Sequence, residues 1–297
     1  MQESALSTVG LPVALAIIML GLGLHLRVDD FRRIWRQPRA VLVGLGCQAV
    51  LLPAICFGIV KAFAMPPELA VGMMLLAASP GGTTANLYSH LFKGDVALNI
   101  SLTAVNSVLA IVTIPLIVNL SLELFMGQQQ YVPLQFRKTL EVIVLILTPV
   151  AIGMFIHARF PAAARRMDKP VKIASALILL VLILAIMVRE RGQLAGYFRQ
   201  AGLAALVFNL ASMFIGYYAG RLARLGEAPS RAIAFEIGVH NSTLAIYLAL
   251  AILGNSAMSV PAAIYSLIMF VTAAAFGWWV TRVGRKGTAA AVAAGKT

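Results

Sequence analysis

Charged side chains are scarce in this 297-residue sequence, in which Asp, Glu, Lys and Arg together make up 12% of the residues. Soluble globular domains carry about twice that fraction of charge, so the composition excludes a soluble catalytic domain. Cysteine is also rare, and Cys47 and Cys56 are the 2 that occur. They lie on one predicted helix, too far apart along it for a disulfide or a shared zinc ion.

Hydrophobic residues, in contrast, make up 60% of the sequence, and the mean hydropathy is +0.89. Apolar runs of roughly 20 residues recur from end to end, and each is long enough to cross a ~30 Å hydrocarbon core as a helix. The pattern predicts an all-α polytopic membrane protein. We expect nine transmembrane helices, at 5–26, 39–63, 67–92, 95–124, 139–158, 170–188, 200–223, 229–253 and 259–282.

Basic residues outnumber acidic ones and give a formal net charge of +13. An excess of this size can indicate nucleic-acid binding, but here the basic residues lie in short loops between spans. The loops at 27–39, 93, 159–172 and 221–231, together with the C-terminal tail, hold 18 of the 24. Cytoplasmic loops are typically the basic ones. We therefore expect the N-terminus outside, the C-terminus in the cytoplasm, and no nucleic-acid partner.

Two of the predicted spans contain sequences that interrupt a helix. The third carries Ser-Pro-Gly-Gly at 79–82 near its middle, where proline removes a helical donor and the glycines lower helix propensity. The eighth carries the polar run from Glu236 to Ser242 at a comparable depth. Irregular backbone at that depth is tolerated only where it is buried in protein or lines a polar cavity.

The two interrupted spans occupy matching positions in the chain. Each follows a span with an amide in its middle, Gln48 in the second span and Asn209 in the seventh. Spans two to four start inside, whereas spans seven to nine start outside. This arrangement predicts an inverted repeat, in which paired broken helices form the binding site of a transporter.

Glu236 is the one acidic residue predicted deep within a span. A carboxylate there costs several kcal/mol. Glu236 could serve only to hydrogen-bond neighbouring helices. Because it lies beside a helix break, we favour a role in binding a cation or carrying a proton. Sodium prefers oxygen ligands, as other hard cations do. Side-chain oxygens are available on Gln48, Asn86, Asn99 and Thr103.

The helix breaks also offer donors to an anion. A half-helix N-terminus carries free N–H groups and a positive dipole end, and Thr83, Thr84, Asn86 and Asn241 add polar side chains. No basic residue is predicted at that depth, so the charge of a substrate would be met by dipoles and by cotransported cations.

The sequence pattern does not determine the roles of the histidines. His240 could be a neutral hydrogen-bonding residue, a neighbour of a sodium site or a proton carrier, and these alternatives stay open. The remaining three histidines lie near the ends of spans and are interpreted as structural. They are His25, His90 and His157.

The stretches "SPGGTTANLYSHLFKGDVALNISLTAVNS" and "EIGVHNS" resemble the bile acid:sodium symporter family, the BASS or solute-carrier 10 type, in a nine-span bacterial form. The resemblance runs from the first span to the ninth. It implies a core domain whose two broken helices cross, moving against a flatter panel domain. The core would comprise spans 39–124 and 200–282 and the panel spans 5–26 and 139–188, followed by a cytoplasmic tail at 283–297.

The same resemblance implies two sodium sites. Ligands of the first match Asn86, Asn99, Thr103 and Glu236. Ligands of the second match Gln48, Glu236, the carbonyls of Ile237 and Val239, and His240. The family usually has glutamine where this chain has His240. A neutral imidazole offers nitrogen and not oxygen, so two-sodium coupling could be altered or partly replaced by a proton. Substrate contacts would fall on Thr83, Thr84 and Asn241.

The leading hypothesis is a secondary active transporter that moves an organic anion with sodium by alternating access. The substrate could be bile acid-like, a sulfated steroid, pantoate or a keto acid. Alternatives are a proton-coupled anion transporter and a metalloid efflux protein of the same superfamily, although the latter places a cysteine at the first crossover. No enzymatic motif is present, so an enzyme is not expected.

The partners expected for such a protein are the organic anion, sodium ions and the lipid bilayer. No obligate protein partner is evident from the sequence. The expected location is the inner (plasma) membrane of a bacterium.

The first testable prediction concerns topology. Cysteines introduced at Gln2 and Thr297 should react with membrane-impermeant reagents from opposite sides, because nine crossings and the basic loops place the termini apart. Labelling in intact and permeabilised cells measures this, with the unsubstituted chain as background control. Labelling of both positions from one side would contradict the count of nine.

Overall fold

The computed structural model describes residues 10–32, 35–127 and 136–294. Within these ranges the chain is built from helices, and the single β-bridge joins Gly81 and His240. The α-helices are α1 (Leu11–Gly23), α2 (Val28–Arg32), α3 (Pro38–Gly46), α4 (Leu52–Ala62), α5 (Pro67–Ala78), α6 (Thr83–Leu91), α7 (Val96–Met126), α8 (Phe136–Arg159), α9 (Pro161–Arg189), α10 (Leu194–Leu222), α11 (Glu227–Gly238), α12 (Ser242–Tyr247) and α13 (Val260–Ala294).

Apolar helices of membrane-spanning length confirm the predicted fold class, an all-α polytopic membrane protein. Five described helical segments are long and apolar enough to cross a bilayer: Pro38–Ala62, Val96–Met126, Pro161–Arg189, Leu194–Leu222 and Ala257–Arg282. Shorter apolar helices occur at Leu11–Gly23, Pro67–Ala78, Val144–Arg159 and Ser242–Ile252. Each predicted span is largely helical where its residues are described, apart from a few terminal residues and the two interruptions, while the number of crossings stays a prediction.

The two predicted interruptions are present, and they meet. Helix α5 ends at Ala78 and α6 begins at Thr83, while α11 ends at Gly238 and α12 begins at Ser242. Between these ends the two segments form the antiparallel bridge, and the Asn241 N–H donates to the Pro80 carbonyl at 2.8 Å. The two extended segments therefore satisfy part of each other's backbone hydrogen bonding where helical bonds are lost.

An amide from the preceding span supports each interruption. Gln48 lies in a π-helical turn between α3 and α4 (Cys47–Leu51), and its Nε2 donates to the carbonyls of Ala77 and Ser79, both at 3.1 Å. In the second half, Asn209 of α10 donates its Nδ2 to the Gly238 carbonyl at 2.9 Å. Both amides satisfy carbonyls released at a helix end. The predicted inverted repeat thus has a physical basis in these two side chains.

Helix packing separates the chain into two groups. Helices α1, α8 and α9 pack on one another, while α10 packs on α11 and α13, and α5 packs on α7. Glycines permit the close approaches. A Cβ added at Gly153 of α8 would lie 2.6 Å from the Leu20 carbonyl oxygen of α1, and one at Gly216 of α10 would lie 2.9 Å from Ala234 Cα of α11. We propose that these groups are the panel and the core.

The α1–α8 contact generates a stability prediction. Gly153→Ala places a methyl group against α1 backbone, which cannot rotate away, and overpacking of this kind costs about 1–3 kcal/mol. The variant should therefore melt at a lower temperature in detergent. Gly58→Ala is the control, because nothing lies within 4 Å of its Cβ and alanine is the better helix former. Equal melting temperatures for the two variants would contradict the close packing.

Candidate functional site

Glu236 lies in the last turn of α11, and its side chain is completely buried. The Thr103 hydroxyl donates to Oε2 at 2.6 Å, and Asn106 donates its Nδ2 to Oε1 at 3.2 Å. Gly81 of the first interruption passes directly over the carboxylate, where a Cβ would lie 2.6 Å from Oε2. The carboxylate therefore contacts α7 and the first interruption at once.

Three predicted amide ligands have side-chain oxygens that lack a partner. Asn99 donates its Nδ2 to the Ala232 carbonyl at 2.7 Å. Its Oδ1 is buried, as are Oδ1 of Asn86 and Oε1 of Gln48, and none of the three accepts a hydrogen bond from any described residue. An unsatisfied buried acceptor costs about 1–3 kcal/mol. These oxygens would be satisfied by a cation that prefers oxygen ligands.

The first predicted ligand set is distributed over three mutually packed helices. Asn86 lies on α6, Asn99 and Thr103 lie on α7, and Glu236 lies on α11, and each of these helices contacts the other two. The side chains of this set offer hydroxyl, amide and carboxylate oxygens, which are suitable ligands for sodium. The structure also adds Asn106, which the sequence analysis missed. Its spacing of three residues from Thr103 was the available signal, since such residues share a helix face.

Two members of the second predicted set meet at the Ser79 carbonyl. Gln48 Nε2 lies 3.1 Å from this oxygen, and His240 Nδ1 lies 2.9 Å from it. Because a carbonyl only accepts, this contact places a proton on Nδ1, so that a neutral ring presents a lone pair at Nε2. Nε2 is buried and has no partner among the described residues. Ile237 and Val239 lie where the helical hydrogen bonding of α11 ends.

The predicted substrate residues line one cavity. Thr83, Thr84 and Asn241 all face a space of about 520 Å³ between α1 and α9 on one side and α6, α12 and α13 on the other. Asn241 accepts the Leu244 N–H on its Oδ1 at 3.1 Å, so its side chain is held at the start of α12. The volume suits a small organic ligand.

No basic residue was expected at the depth of the helix breaks, but basic side chains do line this cavity. Lys172 of α9 lines it, as do His25 and His90, two histidines interpreted as structural. Lys172 was counted among the basic residues of the loop at 159–172, although the predicted span from 170 already includes it, and α9 is helical from Pro161 onward. Lys172 is therefore a helical residue on the same face as Ala176 and Leu179, and this helical period was the signal that could have found it.

Comparison with known proteins places the sequence in a family. The model described as "Sodium Bile acid symporter family" matches residues 12–197. The "Uncharacterized sodium-dependent transporter YocS" of Bacillus subtilis (strain 168) is 28% identical over 260 residues, which cover 86% of this chain and 78% of that protein.

Two relatives from eukaryotes are similar over much of the chain. The "Probable sodium/metabolite cotransporter BASS1, chloroplastic" of Arabidopsis thaliana is 30% identical over 262 residues, or 86% of this chain and 62% of that one. The "Ileal sodium/bile acid cotransporter" of Homo sapiens is 27% identical over 241 residues, or 80% of this chain and 68% of that one. Since the family model covers more than half of the sequence, the chain belongs to the sodium bile acid symporter family, a family of membrane transporters and not of enzymes.

Proposed function

We propose that the protein is a secondary active transporter that carries an organic anion together with sodium ions across the membrane. The observation that carries the proposal is the set of buried, unpaired amide oxygens of Gln48, Asn86 and Asn99. Asn86 and Asn99 lie on helices that pack on α11, and Gln48 bonds the first interruption. Relatives named as sodium-dependent transporters and sodium cotransporters support sodium as the coupling ion.

Glu236 is the proposed ligand shared by two sodium ions. A carboxylate has about four lone-pair positions, and each of its oxygens receives one side-chain hydrogen bond, from Thr103 or Asn106. The remaining positions can bind cations, whose charge offsets the cost of keeping the carboxylate ionised away from water. On this proposal Asn86, Asn99 and Thr103 complete one site, while Gln48, His240 and carbonyls of the second interruption border the other.

Coupling follows from the contact between Glu236 and Gly81. A cation bound at the carboxylate fixes the position of the first interruption, and Thr83 of the cavity wall begins α6 two residues after Gly81. Sodium thus favours one arrangement of the substrate contacts. By linkage, the substrate then favours sodium binding to the same degree.

The walls of the cavity indicate the kind of anion. Apolar side chains such as Ile18, Leu22, Leu87 and Leu179 form much of the lining, and hydroxyl and amide groups lie at the crossover. An organic anion with an apolar body and several polar substituents suits this distribution. We propose a bile acid-like or similar amphipathic anion, and contacts from Thr83, Thr84 and Asn241 to its polar groups.

His240 supports a second candidate, proton coupling, because its buried Nε2 has no partner in the described part of the chain. A ring nitrogen in that position could bind a proton in place of the second sodium. The two candidates share the fold and the cavity, and they differ in which cation occupies the second site.

The test of sodium coupling uses purified protein and cholate as the probe. Cholate should raise the melting temperature in sodium chloride and have little effect in potassium chloride. Sodium alone should stabilise the protein by about 2–3 kcal/mol at 100 times its Kd. Glu236→Gln should fold, because the amide has the same size and one acceptor oxygen, and should lose most of the sodium shift.

Glu123→Gln is the matched control for that substitution, since Glu123 is exposed on α7. It should retain the full sodium shift, and it should retain sodium-driven cholate uptake in proteoliposomes. A Glu236→Gln variant with unchanged sodium stabilisation would show that the carboxylate does not bind sodium.

His240→Gln separates the two coupling candidates. If His240 borders a sodium site, the glutamine oxygen should preserve or strengthen the sodium shift, and cholate uptake should change little between about pH 5.5 and 8. Initial uptake rates under sodium and proton gradients provide the measurement. Wild-type uptake that follows a proton gradient and ignores sodium would refute sodium coupling and support the proton candidate.

A further inference from the structure

Lys172 is the one Lys or Arg residue among the described residues that line the cavity, and no Asp or Glu lines it. Its Nζ lies 2.9 Å from Oδ2 of Asp168, one helical turn earlier on α9, and its side chain is 53% exposed. A half-exposed ion pair of this kind contributes about 0–1 kcal/mol. Lys172 can therefore leave Asp168 for another anionic partner at little cost in free energy.

Asp168 keeps a second partner when Lys172 leaves. Nε2 of His25 lies 2.6 Å from Asp168 Oδ1, and Nδ1 of the same ring lies 2.7 Å from the Gly21 carbonyl. The carboxylate of Asp168 remains paired with His25, so release of Lys172 does not leave an isolated negative charge beside the cavity.

The wall of α9 is rigidly placed against α1. A Cβ at Gly21 would lie 2.8 Å from Cγ1 of Val171, the residue before Lys172. On the cavity side, Lys172 is followed along α9 by Ser175, Ala176 and Leu179. The cavity therefore has a cationic side chain on α9, apolar side chains along its walls, and hydroxyl and amide groups at the crossover.

We propose that Lys172 binds the acidic group of the transported anion, exchanging Asp168 for a carboxylate or sulfonate of the substrate. This assignment rests on the proposed function and adds to it the group that meets the substrate's charge. The matching substrate is an amphipathic acid with its acidic group at one end, an apolar body along α9, and hydroxyl groups that reach the crossover. The negative charge of the substrate is then neutralised by Lys172, on the proposed panel, as well as by cotransported cations.

The test compares cholate with cholamide, its uncharged carboxamide, as probes. Dissociation constants are measured by titration calorimetry in sodium chloride, below the concentration at which cholate forms micelles. Wild-type protein should bind cholate about tenfold more tightly than cholamide, as expected for a charge-assisted hydrogen bond. Lys172→Gln should weaken cholate binding about tenfold and leave cholamide within about twofold, and Lys172→Arg should retain cholate binding within about threefold.

Asp168→Asn provides a readout that a purely structural role would not produce. It removes the competitor for Lys172, so cholate should bind about threefold more tightly, opposite in direction to Lys172→Gln. Lys169→Gln is the matched control, because Lys169 is exposed on the same helix and does not line the cavity, and it should change neither ligand's affinity.

The outcomes distinguish this assignment from the proposed function. Unchanged cholate affinity in Lys172→Gln would overturn the role of Lys172, as would equal losses of affinity for cholate and cholamide in both Lys172→Gln and Asp168→Asn. In either case, sodium-dependent cholate binding by the wild type would still uphold the proposed function. Wild-type protein that binds neither cholate nor cholamide in sodium would overturn the amphipathic substrate class, and the role of Lys172 with it.

Discussion

Complete burial of the Glu236 carboxylate is the constraint on which the rest of the structure depends. A carboxylate in such surroundings must be satisfied by donors or cations, since the alternative costs several kcal/mol. Thr103 and Asn106 of α7 donate to it, and Gly81 has no side chain to separate the first interruption from it. One side chain from the second half of the chain thereby determines how α7 and the first broken span are placed.

The two interruptions solve one physical problem in the same way. A broken helix in an apolar bundle exposes carbonyls that no water can reach. Each half of the chain supplies an amide from the preceding span, Gln48 or Asn209, and the halves complete each other through the pairing of Gly81 with His240. The crossing is therefore a shared hydrogen-bonding arrangement, so a displacement of one interruption must be followed by the other.

Features set by residue type could be predicted from the sequence, whereas features set by packing could not. The Ser-Pro-Gly-Gly sequence at 79–82 strongly disfavours helix, and Glu236 stands out because charge is rare in apolar spans, so both interruptions were predicted. Asn106 was missed because its partner lies on a helix distant in sequence. Lys172 was missed because it was counted as a loop charge at the end of a span, whereas the packing of α9 makes this part of the helix a wall of the cavity.

The proposed substrate contacts divide between the two helix groups. Lys172 and Asp168 lie on α9 and His25 follows the end of α1, whereas Thr83, Thr84 and Asn241 lie at the crossing of the two interrupted spans. A ligand that contacts both ends therefore bridges the groups and favours the arrangement in which both contacts form. If sodium binds Glu236 as proposed, its departure loosens the crossover end first, because Gly81 adjoins the carboxylate. The acidic group then remains on Lys172 alone, in a weak and half-exposed ion pair that water and Asp168 can readily replace.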